Sequence, residues 1–156
     1  MGVALPAAIG ASFATNKGRV LCLHCDGGMM MNLQELATIA HHKLPIKIIV
    51  FNNNGYTMIK KTQDVSLGGR HAGSDTADLS FPDFIRLGEA FGIRSCSVSN
   101  WIDFDIAMDH LQEDGPLLID YRMDPDQALL PKLQPIINAD GSIRDAQFNE
   151  MSPRLP

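Results

Sequence analysis

Basic residues, cysteines and long apolar runs are all scarce in this sequence. Lysine and arginine number 13 against 18 aspartate and glutamate residues, and the net charge of -5 offers no basic face for a nucleic-acid partner. No apolar run approaches the roughly 20 residues that a bilayer-spanning helix needs, so a membrane partner is not expected. Three cysteines exclude a disulfide framework and favour a reducing compartment. Because no basic region precedes the first apolar stretch, we read no signal peptide and expect a cytoplasmic protein.

The length and composition are typical of one soluble globular domain. Hydrophobic residues make up 45% of the 156 residues and charged residues 20%, which is enough apolar material for a core. After Met123 the chain becomes proline-rich and irregular. We therefore expect a folded domain over residues 1–125 and a C-terminal tail over residues 126–156.

Short aliphatic strands alternate with helical patterns along the first 121 residues. Strands are predicted at 19–24, 46–51, 93–98 and 116–121, and helices at 3–15, 31–43, 81–91 and 102–111. Strands that are aliphatic on both faces predict a three-layer α/β fold, a mostly parallel sheet with helices on both faces. Residues 52–79 are polar and predict a long loop. Ser80 or Asp78 is predicted to cap the helix that follows this loop.

Polar, glycine-containing segments follow the first two predicted strands. The first strand runs into Cys25-Asp26-Gly27-Gly28, and the second into Asn52-Asn53-Asn54-Gly55. Ligands of parallel sheets bind at the carboxyl ends of the strands, and glycines let backbone N–H groups approach an anion. A carboxylate and an amide oxygen suit Mg²⁺ or Ca²⁺, with diphosphate oxygens completing the coordination. The pattern therefore predicts a metal–diphosphate site, although either segment alone is also an ordinary turn sequence.

The stretch CDGGMMMNLQELATIAHHKLPIKIIVFNNNGYTMIK resembles the thiamine-diphosphate enzymes of the acetolactate synthase and pyruvate oxidase type. Those enzymes carry Gly-Asp-Gly and, after a helix and a strand, Asn-Asn. The segment MGVALPAAIGA resembles the entry to the same C-terminal, diphosphate-binding domain. The resemblance implies thiamine diphosphate and Mg²⁺ as cofactors, a 2-oxo acid as substrate, decarboxylation or carboligation as a lyase or transferase reaction, and a homo-oligomer.

The same resemblance implies roles for individual positions. Asp26 and Asn53 would be side-chain ligands of the metal, and the backbone carbonyl of Gly55 a third ligand. Gly27 and Gly28 would present backbone N–H groups to the diphosphate. The remaining cofactor-binding positions implied are Met1, Tyr56 and Met58.

No residue of this chain is expected to be catalytic. In the resembled family, the glutamate that activates the cofactor belongs to a pyrimidine-binding domain of the same or a partner chain. We therefore expect the isolated chain to be inactive. Cys25 departs from the family's first glycine, and it would be strained if the position required a positive φ. A non-catalytic binding or assembly module with the same fold is the alternative function.

Other reactive residue types in the chain favour structural roles. Cys22 and Cys25 form a CxxC, but on a strand their spacing places the thiols on opposite faces, and no second ligand pair for zinc follows. The pair His41-His42 lies near a predicted helix end, and His71 lies in the polar loop. Met29-Met30-Met31 is as compatible with core packing as with a cofactor pocket. No GxGxxG follows the first strand, which disfavours a nicotinamide-binding domain.

Overall fold

A computed structural model of the protein describes residues 1–128, 130–133 and 135–153. The chain divides into two compact units, Met1–Pro125 and Asp126–Pro156. The second unit contains two short antiparallel strands, Ile136–Ile137 and Ile143–Arg144, and a 3₁₀ turn at Phe148–Glu150. Among the described residues, no helix has both the length and the apolar character needed to cross a bilayer.

The first unit alternates helices and strands along the chain. In chain order its elements are α1 Ala4–Ala14, β1 Val20–Cys25, α2 Asp26–Met29, α3 Glu35–His42, β2 Ile46–Asn52, α4 Thr57–Ser66, α5 Phe84–Ala90, β3 Arg94–Val98, α6 Trp101–Gln112 and β4 Leu117–Arg122. The sheet has the order β1-β2-β4-β3, and every adjacent pair is parallel. The predicted α/β fold with a mostly parallel sheet is therefore confirmed.

The central strands β2 and β4 bury apolar side chains on both faces of the sheet, as their aliphatic sequences predict, whereas β1 buries one face and leaves Leu21 and Leu23 exposed on the other. On one face Ile48 and Leu118 pack in a large core with residues of α1, α3 and α5. On the other face Ile119 packs with Ala107 of α6 in a smaller core. Because the helices occupy both faces, the carboxyl ends of the strands remain as the polar edge of the unit.

Two helical segments differ from the sequence prediction. The predicted loop 52–79 contains helix α4, whose sequence is mostly polar and which has no fully buried residue. The helix predicted at 31–43 is shorter, because α2 and a series of turns take up the chain as far as Glu35.

Helix α5 is capped by a different residue from those predicted. The carboxylate of Asp83 accepts hydrogen bonds from the backbone N–H groups of Ile85 and Arg86, so neither Ser80 nor Asp78 is the N-cap. Asp78 instead accepts from the N–H of Gly73. Since Pro82 is excluded from the helix interior, the cap falls on the residue directly after it.

We expect Asp83→Ala to lower the free energy of unfolding by about 1 kcal/mol, because two backbone N–H groups of α5 lose their acceptor. Urea denaturation followed by circular dichroism measures the change. Ser80→Ala is the matched control, and it should change stability by less than about 0.5 kcal/mol. Equal losses from the two substitutions would contradict the assignment of the cap.

Candidate functional site

The ends of β1 and β2 bring the predicted metal ligands together. Asp26 follows β1 directly and Asn53 follows β2 directly, and the paired register of Cys25 with Phe51 places the two loops side by side. Asp26 is 2% exposed. Its Oδ2 accepts hydrogen bonds from the N–H groups of Asn53 at 3.1 Å and Gly55 at 3.2 Å. The structure thus groups the three positions around one buried carboxylate.

The buried carboxylate of Asp26 is held between opposing electrostatic influences. Burial raises its pKa, whereas hydrogen bonds from the backbone N–H groups of Gly27, Gly55, Asn53 and Asn54 lower it. The net effect is a raised pKa. This carboxyl group therefore lowers the stability of the folded chain progressively as pH rises from its unfolded pKa through its folded pKa. A cation at this carboxylate would stabilise its charged form.

The side-chain amide of Asn53 is held in place through its nitrogen. Its Nδ2 donates to Thr57 Oγ1 at 2.5 Å, which fixes the orientation of the amide. Its Oδ1 is buried and has no hydrogen-bond partner among the described residues. A buried polar atom without a partner is rare in native proteins. Together with the Asp26 carboxylate, this oxygen fits a hard divalent cation such as Mg²⁺.

The glycines of the site lie where no side chain fits. A Cβ added to Gly27 would lie 2.2 Å from Cε1 of Tyr56, whose ring packs against that backbone. A Cβ added to Gly55 would lie 2.9 Å from the carbonyl oxygen of Ser74. The N–H of Gly27 donates to Asp26 Oδ1 at 2.6 Å, so this predicted diphosphate donor faces the carboxylate. Close packing rather than φ > 0 therefore requires glycine at both positions.

Cys25 is accommodated without backbone strain. Its φ of -103° and ψ of 157° are those of an ordinary extended residue, and its side chain is exposed. The replacement of the family's glycine by cysteine at this position therefore adds no left-handed conformation to the turn.

Comparison with known proteins places this geometry in a family. Residues 1–121 match the family described as thiamine pyrophosphate enzyme, C-terminal TPP binding domain, where TPP is thiamine pyrophosphate, or thiamine diphosphate. The chain belongs to this family. It is a TPP-binding C-terminal domain of the acetolactate synthase type, as the resemblance in the sequence predicts.

Acetolactate synthases are among the relatives of this TPP-binding domain. It is 38% identical over 136 residues to the acetolactate synthase large subunit of Porphyra purpurea, covering 86% of this chain and 23% of that protein. It is 35% identical to the acetolactate synthase isozyme 2 large subunit of Escherichia coli (strain K12), with shares of 86% and 24%. The chain thus spans about a quarter of the length of these relatives.

The fold of the domain is similar to that of a solved enzyme. A thiamine diphosphate-dependent 4-hydroxybenzoylformate decarboxylase of Rhodococcus jostii RHA1 superposes with a TM-score of 0.72 at 32% sequence identity. The match covers 82% of this chain and 24% of the decarboxylase.

Met1 and Met58, two of the predicted cofactor-binding residues, lie on the surface of the TPP-binding domain. Met1 is 85% exposed and Met58, in the first turn of α4, is 68% exposed. Neither side chain is buried by the domain itself, and their roles toward the cofactor stay predictions. Within the methionine run, Met29 is buried in the core, whereas Met30 and Met31 are partly exposed.

The remaining candidate residues hold structural positions. Among the described residues, no group of three or more histidine, cysteine, aspartate or glutamate side chains is placed to hold a metal ion. His71 lies 2.6 Å from Asp64 of α4, and this hydrogen bond holds the pKa of that carboxyl below its usual value. Sequence reasoning missed the pair because α4 was not predicted. It also missed His24, whose burial beside Gly28 no pattern in the sequence indicates.

We expect iodoacetamide at pH 8 to modify Cys25 in the native domain and to leave Cys22 largely unmodified. Cys22 is buried, and burial raises the pKa of its thiol from 9.0 to about 11, so its alkylation should accelerate by about a hundredfold on unfolding in urea. Mass spectrometry of the digested protein measures both sites. Protection of both cysteines that a chelator removes would show instead that the CxxC binds a metal.

Proposed function

We propose that this domain anchors the diphosphate of TPP through Mg²⁺, for decarboxylation or carboligation of a 2-oxo acid. Asp26, Asn53 and the backbone carbonyl of Gly55 are the proposed metal ligands. The unit Met1–Pro125 is the proposed binding domain, with residues 126–156 as a C-terminal tail. A cytoplasmic location and a homo-oligomeric assembly belong to the same proposal.

One observation carries the proposal. Two hard oxygen atoms from adjacent strand ends, the Asp26 carboxylate and the unpaired Asn53 Oδ1, are buried at one place on the carboxyl edge of the sheet. Asp26 without a cation is a buried charge, and the groups of the described residues that stabilise it are backbone N–H groups. A divalent cation would satisfy both side chains at once, and it would attract the negative charges of a diphosphate.

Different residues of the domain have different roles in the proposed binding site. Asp26 and Asn53 hold the cation, and the hydrogen bond from Asn53 to Thr57 keeps the amide oxygen directed to the site. Gly27 and Gly28 let the side chains of Tyr56 and His24 pack directly against the turn that follows Asp26. When bound, TPP supplies the electron sink that decarboxylation of a 2-oxo acid requires.

The proposed activity requires a second domain. Resemblance to the family assigns the cofactor-activating glutamate to a pyrimidine-binding domain, which we propose as the partner, in the same or another chain. We accordingly propose that residues 1–156 alone bind the cofactor without turning over substrate. The alternative of a non-catalytic module rested partly on Cys25, and the extended conformation of that residue removes this ground.

Calorimetric titration of TPP into the protein tests the proposal. We expect binding in the presence of Mg²⁺ and its loss when EDTA replaces the metal. A weak interaction is expected for the chain alone, so the titration is repeated with an added pyrimidine-binding domain from an acetolactate synthase. Failure to detect Mg²⁺-dependent binding in both titrations would refute the proposed function.

A further inference from the structure

One side chain next to the proposed diphosphate site has a buried polar atom without a partner. His24 lies on β1 two residues before Asp26, and it is 7% exposed. Its Nε2 has no hydrogen-bond partner among the described residues. Nearly all buried polar atoms of native proteins are paired, so this nitrogen points to a missing partner.

A local hydrogen bond identifies the unpaired nitrogen as a donor. The Nδ1 of His24 accepts the backbone N–H of Cys25 at 3.0 Å. A ring nitrogen that accepts carries no proton, so the neutral imidazole carries its proton on Nε2.

The imidazole of His24 fills the space that a side chain at position 28 would need. A Cβ added to Gly28 would lie 2.6 Å from Cε1 and 2.9 Å from Nδ1 of His24. The next nearest atom to this Cβ is the backbone nitrogen of Gly2, at 3.9 Å. Since Nε2 is bonded directly to Cε1, the unpaired donor lies beside the backbone of Gly28. The ring of His24 therefore places its donor where Gly28 has no side chain.

We propose that the Nε2–H of His24 donates a hydrogen bond to a phosphate oxygen of TPP, and that His24 and Gly28 form a matched pair in this role. The inference rests on the proposed function and adds a ligand-binding residue from the strand itself. Because Nε2 is closed off from solvent, this hydrogen bond requires a shift of the ring or of the nearby Gly2 backbone.

Affinity and stability respond differently if His24 binds the phosphate. We expect His24→Phe to weaken binding of TPP and of inorganic pyrophosphate, both with Mg²⁺, by about tenfold or more, because a hydrogen bond to a charged group is lost. The melting temperature should change little, because the gain from removing an unpaired buried donor offsets the loss of the Nδ1 acceptor of the Cys25 N–H. NMR titration of the full chain measures dissociation constants up to the millimolar range, and His41→Phe, at an exposed position, is the control.

A pair of double variants tests whether a hydrogen-bond donor at position 28 can replace the donor of His24. His24→Ala with Gly28→Ser returns a hydroxyl donor to the emptied space, whereas His24→Ala with Gly28→Ala fills it without a donor. We expect the serine pair to bind Mg²⁺ and pyrophosphate about tenfold more tightly than the alanine pair. Equal affinities for these two pairs, or for wild type and His24→Phe, would overturn the role of His24 alone. Absence of Mg²⁺-dependent binding by the wild type, in these titrations and with the added pyrimidine-binding domain, would overturn the proposed function and this inference with it.

Discussion

Replacing Asp26 by alanine is expected to abolish the Mg²⁺ dependence of TPP binding and to weaken binding in Mg²⁺ by about a hundredfold or more. Loss of an outer-shell partner already lowers metal affinity by about 10–100-fold, and here a charged ligand itself is removed. The carboxylate is buried and directly follows β1, and no group of three or more histidine, cysteine or acidic side chains in the described part of the chain could hold the metal in its place. Titration calorimetry of the wild type and the variant, each with Mg²⁺ and with EDTA, measures the effect.

The control for this experiment removes one negative charge elsewhere. Asp109 is exposed on α6, and Asp109→Ala should leave the Mg²⁺-dependent affinity unchanged. Asp26→Ala also leaves the N–H groups of Gly27, Asn53 and Gly55 without their acceptor, so thermal unfolding is measured in parallel. If a folded Asp26→Ala protein binds TPP with undiminished dependence on Mg²⁺, Asp26 is not a metal ligand.

Gly27→Ala should have the second-largest effect on the site. The added Cβ would lie 2.2 Å, 2.6 Å and 2.9 Å from three ring atoms of Tyr56, so the whole ring must leave its packed position to relieve these contacts. The ring also contacts Phe81, with 6.0 Å between the centroids. We expect the free energy of unfolding to fall by about 1–3 kcal/mol and TPP affinity to fall at least tenfold, because the shifted ring displaces the turn.

A glycine-to-alanine substitution in a helix is expected to raise the free energy of unfolding instead of lowering it. An added Cβ at Gly10 of α1 has no described neighbour within 4 Å outside its own helix backbone, so Gly10→Ala should raise stability by up to about 1 kcal/mol. Urea denaturation compares the two variants. In the Gly27→Ala background, Tyr56→Ala should recover part of the stability, because it removes the ring that collides. A loss at Gly27 that persists undiminished in the double variant would show that the ring is not its cause.

Much of the fold follows from local patterns in the sequence. Short aliphatic strands such as Ile46–Asn52 are apolar at nearly every position, which predicts burial on both faces and hence a parallel sheet covered by helices. Helix α4 escaped prediction because its sequence is mostly polar and none of its residues is fully buried, so it contains few apolar residues to indicate a helix. The cap of α5 was misplaced because several acidic and hydroxyl residues precede that helix, and only the backbone geometry selects Asp83 among them.

The pairing of Asp26 with Asn53 could be predicted because it depends on connectivity. Parallel strands separated by one helix bring their carboxyl ends to the same edge, whatever the details of packing. The identity of the cofactor came from resemblance, and the family match supports TPP for the domain. The acceptance of Cys25 could not be predicted, because residue type alone does not specify φ.

By itself, the sequence determined the α/β class, the parallel sheet and the two polar strand ends, because hydrophobic periodicity and turn residues act over a few neighbouring positions. Only the tertiary structure shows why the site has glycine at positions 27 and 28. Tyr56 packs on Gly27 and His24 packs on Gly28, and these contacts depend on how the ends of β1 and β2 meet. It also decided that Asn53 Oδ1 and His24 Nε2 are buried with no partner in the described part of the chain, since burial and hydrogen bonding depend on all the elements that surround an atom.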